Sequence, residues 1–146
     1  VKSVIPARNG TLVRLCPGPA EIIDDVPAGR VYMDGLLPVL TGEGPVEDRR
    51  RLSFAGAVAI SLVLSAKGDI VADPQITVIG VPAATATAIP FPDVILETAH
   101  GALDGIPRPR RRDSALVAEA VRRAVRAEVN AHWGKKPPCS VMVTVI

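Results

Sequence analysis

Apolar residues follow two different rhythms along the chain. Over residues 1–40 they come in short bursts, "VKSVIP", "TLVRLC", "AEIIDD" and "VYM", separated by Gly, Pro and Asn. Arg8-Asn9-Gly10 between the first two bursts reads as a hairpin turn, because Asn-Gly accepts the positive φ that tight turns need. These bursts are too short and too poor in core residues to fold alone, so they read as strands borrowed from a larger sheet. Residues 38–48, "PVLTGEGPVED", are a polar connector bearing Gly and Pro, and the domain boundary is expected there.

The second rhythm starts after Leu52. The near-continuous apolar run 57–64 predicts a strand buried on both faces. "SAKGD" makes a hairpin loop in which Gly68 can take positive φ, and residues 70–81 return as a second strand. Its Asp73-Pro74 step interrupts pairing, which predicts a bulged or edge strand. "VPAATATAIPFP" is a small-residue loop. Asp93 is then the expected N-cap of a helix with Val94, Ile95, Ala99, Ala102, Leu103 and Ile106 as its apolar set, ended by Pro107.

The clearest helix is expected over 114–133, capped by Asp113 or Ser114. Val117, Ala120, Val121, Ala124, Val125, Val129 and Trp133 recur at three- and four-residue steps and form one stripe. Gly134 is a natural C′ residue, and Pro137-Pro138 forbid continuation. "CSVMVTVI" closes the chain as a strand apolar enough to sit centrally, on a path that allows the middle or the far edge. The order strand, strand, helix, helix, strand predicts an α/β (α+β) domain with a three-stranded mixed sheet and two helices on one face.

Composition narrows the function. With 146 residues, 48% hydrophobic and 22% charged, the chain can sustain a core without metal or disulfide staples, and it is not a polar disordered tail. Aromatic content of 3% argues against a base-stacking platform, and a net charge of +2 is too mild to indicate nucleic acid by itself. Cys16 and Cys139 lack metal-ligand spacing and read as free thiols of a reducing, cytoplasmic setting. No apolar run approaches the length of a membrane span. A first residue of Val rather than Met fits a piece of something longer.

Catalytic chemistry is missing from the pattern. A hydrolytic metal site needs at least three converging ligands, and His100 and His132 stand on different predicted helices. No nucleophile elbow occurs, and no phosphate-cradling glycine loop. The suggestive residues are arginines: Arg49, Arg50 and Arg51; Arg108, Arg110, Arg111 and Arg112; and Arg122 with Arg126. The second group stands just before a helix N-terminus, where the macrodipole disfavours cations, and the last pair repels at i,i+4. These nine are the candidate RNA or partner contacts, although such a face is also commonly just solvated. A free-standing protein-interaction or dimerisation module is the alternative in a different functional class.

"VPAGRVYMDG", "DRRRLSFAGAV" and "WGKKPPCSVMVTVI" together resemble the C-terminal part of ribonuclease J, in order and spacing, over essentially all 146 residues. The resemblance implies that residues 1–40 are the last strands of a metallo-β-lactamase core that carries a β-CASP insertion. Residues 46–146 would then be the small C-terminal domain. It implies a 5′-to-3′ exonuclease and endonuclease acting on RNA, likewise cytoplasmic, with two zinc ions held by a His-x-His-x-Asp-His signature and later ligands. None of those ligands lies in this sequence, so it offers no metal, cofactor-binding or catalytic residue. A homo-oligomer is expected from the family. The Arg49 to Arg51 cluster is expected to position the junction between linker and terminal sheet.

Overall fold

A computed structural model describes residues 4–40, 42 and 44–146. The expected strand at 1–6 and the connector at 38–48 therefore lie partly outside the described residues. The chain divides into two units, Val1–Glu47 and Asp48–Ile146.

The first unit contains two separate antiparallel hairpins. Strand β1 (Thr11–Arg14) pairs with β2 (Glu21–Asp25), and β3 (Val31–Asp34) pairs with β4 (Leu37–Leu40). Among the described residues the Asn9-Gly10 turn leads into β1 with no paired strand before it, the expected strand at 1–6 being described only in part. Gly10 sits where an added Cβ would lie 2.5 Å from the Val26 carbonyl oxygen, and its own carbonyl accepts from Val26 N–H. The turn residue thus packs against the strand partner's end. Every residue of β2 is exposed, and Ile22, Ile23, Leu36 and Leu37 stand in solvent.

In place of a connector running to residue 48, helix α1 covers Pro45–Ala55. Pro at the first helical position and Glu47 and Asp48 in the first turn suit its N-terminus. Gly56 ends it with φ +65°, donating to the Leu52 carbonyl at 2.7 Å. A Cβ at Gly56 would stand 2.3 Å from the Ile79 carbonyl oxygen, so the chain can turn here only with glycine.

The second unit is built on a three-stranded mixed sheet in the order β6-β5-β7. Strand β5 (Ala57–Leu64) runs antiparallel to β6 (Ile70–Ile79) and parallel to β7 (Cys139–Val145). The register is irregular between Ser61 and Leu64, opposite the Asp73-Pro74 step, and β6 is an edge as predicted. β7 lies at the far edge, one of the two places its path allows. β5 is central but not buried on both faces. Val58, Ile60, Leu62 and Leu64 are buried, while the alternating Ala57, Ala59, Ser61 and Val63 are half-buried.

Helices α2 (Phe91–Asp104) and α3 (Ser114–Trp133) cover the buried face. α2 starts three residues earlier than expected, with Pro90 as N-cap and Asp93 in its first turn. This brings Phe91 into the core beside Val94, Ile95, Ala99 and Leu103. α3 has the predicted limits. The Asp113 carboxylate accepts from Ala115 and Leu116 N–H, and Gly134 closes the helix with φ +77°. Val117, Val121, Val125 and Val129 are fully buried at i,i+4 steps, each contributing about 1.5–3 kcal/mol through burial. No helix among the described residues is long and apolar enough to cross a membrane.

Candidate functional site: a basic groove beside the last strand

The nine candidate arginines do not form one surface. Arg111 is a fastener, 12% exposed at its side chain. Its Nε donates to the Ile106 carbonyl at 2.8 Å, and its terminal nitrogens reach Gly68 and Asp104 at 3.4–3.5 Å. It thereby ties the β5–β6 loop to the 3-10 turn Arg108–Arg112, where a Cβ at Gly68 would lie 2.7 Å from the Arg111 Cβ. Arg108 pairs with Asp69 at 3.2 Å. Arg110 and Arg112 are exposed. Arg49 and Arg50 are exposed on α1 and already engaged in interactions of their own.

Arg51, Arg122 and Arg126 do come together. With Phe54, Ala55, Lys136, Pro138 and Cys139 they line a groove of about 560 Å³ within the second unit. Three segments distant in sequence build it. α3 contributes Arg122 and Arg126, each one position beyond a core valine, so their stems flank the buried stripe while their heads reach the rim. α1 contributes Arg51 and Phe54 from its C-terminal half. The turn after α3 contributes Lys136, and its Pro138 carbonyl accepts from Val58 N–H at 3.0 Å, fixing the turn to β5.

Lys135 locks the turn after α3 to α1. Its Nζ donates to the Phe54 carbonyl at 2.8 Å, among the carbonyls left free at the end of α1. The same ammonium lies 4.3 Å from the Phe54 ring centre and 4.9 Å from that of Trp133. Cation–π attraction at such exposed sites is worth about 0.5–1 kcal/mol per ring.

The charges of the groove are unequally satisfied. Arg122 forks onto Glu119, with Nε and one terminal nitrogen each donating at 2.8 Å. Arg126 has no such partner at Nε, which is buried and unpaired. Leaving a buried donor unsatisfied costs about 1–3 kcal/mol, and more when the group is charged. Burial pushes the Cys139 thiol up from its ordinary value, and the adjacent Arg122 and Arg126 pull it back. Sequence reasoning does not place Lys135 and Lys136 at the site, and it misses Phe54 and Cys139.

The groove offers positive charge, one exposed aromatic ring and no acid–base pair. Among the described residues, no group of three or more His, Cys, Asp or Glu could hold a metal ion. The donor set therefore does not fit the zinc ions that the resemblance implies.

The family described as the ribonuclease J C-terminal domain matches residues 44–146, which takes in the entire groove. The chain belongs to this family. Ribonuclease J of Sinorhizobium meliloti is 44% identical over 146 residues, covering all of this chain and 26% of that protein. Ribonuclease J of Corynebacterium glutamicum is 23% identical over 145 residues, covering 99% of the chain and 20% of that protein. The chain thus spans about a quarter or less of these relatives, and what it matches is the ribonuclease J C-terminal region.

Proposed function

We propose that this chain is the C-terminal region of a metal-dependent ribonuclease J, an enzyme of RNA processing and decay that degrades RNA 5′-to-3′ and cleaves it internally. The reading is carried by the family match over residues 44–146. Two zinc ions and the catalytic residues belong to other parts of the longer protein, which works in the cytoplasm. Residues 1–40 are the last strands of its metallo-β-lactamase core. The exposed Ile22, Ile23, Leu36 and Leu37 on isolated hairpins support that, since such strands need a sheet to join.

The region's own part is assembly and stability, with the basic groove available for contact. The sheet face opposite the helices supports self-assembly: Ile79 and Met142 stand exposed beside Ala57, Ala59 and Thr77. The test is cleavage of 5′-monophosphorylated RNA by the full protein. Activity is expected to vanish with a chelator and return with zinc. A full protein that leaves the RNA intact under these conditions would overturn the reading in favour of a non-enzymatic interaction module.

A further inference from the structure

The groove holds more cation than the fold itself uses. Arg122 is held by Glu119, and Lys135 by the end of α1 and two rings. Arg51, Arg126 and Lys136 line the groove without a carboxylate among the lining residues. Arg126 also has a buried Nε with no hydrogen-bond partner, so the fold itself leaves that charged donor unused.

We propose that this groove seats a backbone phosphate of single-stranded RNA, with Arg126 beneath the phosphate, Arg51 and Lys136 at its flanks, and the adjoining base against Phe54. A phosphate has acceptor oxygens pointing in several directions, which suits cations arriving from three separate segments. A single carboxylate is satisfied by one fork, as Glu119 already shows with Arg122. The aromatic ring decides further between nucleic acid and an acidic peptide. Phe54 remains 69% exposed even with Lys135 over it, and a base can stack there whatever its sequence. The groove is therefore a sequence-tolerant hold on a strand. The identity of that strand as RNA rests on the ribonuclease reading, whereas the anion chemistry does not.

The experiment uses the 146-residue chain and its single tryptophan, Trp133, whose ring faces Lys135. A short oligouridylate is titrated while Trp133 fluorescence is followed, at several salt concentrations, with polyglutamate as the rival ligand. One seated phosphate predicts a log–log salt slope of about −0.7 on a single strand. Arg126→Gln should weaken RNA binding about tenfold and flatten the salt dependence. Lys136→Gln, at an exposed position, should flatten it similarly and covers the case in which Arg126→Gln perturbs folding. Arg110→Gln with Arg112→Gln should leave binding unchanged. RNA should also slow alkylation of Cys139, which lines the groove, without slowing that of Cys16.

Wild-type affinity and slope in both groove variants would overturn the proposal. Polyglutamate binding as tight as RNA would do so too, assigning the groove to an acidic protein segment. Either outcome leaves the ribonuclease reading standing, because that is judged by cleavage in the full protein.

Discussion

The junction between α1 and β5 rests on one glycine, and replacing it separates backbone conformation from simple loss of contacts. At Gly56 an alanine would have to hold φ near +65°, which costs an L-residue about 1–2 kcal/mol. Its Cβ would also lie 2.3 Å from the Ile79 carbonyl oxygen and 2.7 Å from the Gly80 carbonyl group. Both neighbours are backbone at the end of an edge strand, so relief requires moving β6. Together these predict a loss of about 2–4 kcal/mol for Gly56→Ala. In a domain of roughly a hundred residues that lowers Tm by on the order of 15 °C.

Gly101 in α2 is the matched control. Nothing lies within 4 Å of its built Cβ, and its backbone is helical. Gly101→Ala should therefore stabilise by about 0.5–1 kcal/mol. Thermal unfolding followed by circular dichroism reads both. An unchanged Tm for Gly56→Ala would refute the close approach of α1's end to β6, and with it the placement of the groove's α1 wall.

Two further outcomes follow from the same geometry. Cys16 is exposed and should react with a thiol reagent quickly, whereas Cys139 should lag until the pH climbs well above the ordinary thiol range. Because the folded thiol is raised, its stabilising share is full below the unfolded value and is lost as pH rises through the folded one. Cys139→Ala should consequently flatten the alkaline fall of stability in urea unfolding, and an unaltered fall would contradict the burial argument. Arg111→Ala should cost about 2–4 kcal/mol in the same assay, since it strips the charged donor from the Ile106 carbonyl and loosens the β5–β6 loop. Arg112→Ala should be neutral within about 0.5 kcal/mol.

Elements whose signals are local are legible in the amino-acid pattern. α3 has its expected limits because Asp113 and Gly134 act on the backbone groups nearest them, and its valine stripe needs no outside information. α1 escapes the pattern because only Ala55 is buried and Val46, Leu52 and Phe54 make no stripe. Its one signal is Pro45 followed by Glu47-Asp48, a helix start without an amphipathic body to support it. Apolar content alone puts β7 too near the centre of the sheet. Val141 and Val143 do face the core, but Ser140, Met142 and Thr144 alternate outward, which an edge strand tolerates.

The groove is legible only in part. Charge counting singles out Arg51, Arg122 and Arg126 along with six other arginines, and nothing in the sequence says which converge. Convergence depends on Lys135 pinning the last turn of α1 and on Pro138 bonding to β5, two contacts between segments some eighty residues apart. Arg111 illustrates the opposite case. By charge it looks like a contact residue, yet it is spent on three backbone carbonyls.

Holding RNA and cutting it are separate tasks, and the proposed reading assigns the first to this chain. Incubating the 146-residue chain with zinc and end-labelled, 5′-monophosphorylated RNA tests that division in a single gel. Retarded RNA of full length is the predicted result, with the retardation weakened in Arg126→Gln. Shortened RNA appearing in a metal-dependent manner, or full-length RNA that is never retarded, would contradict it.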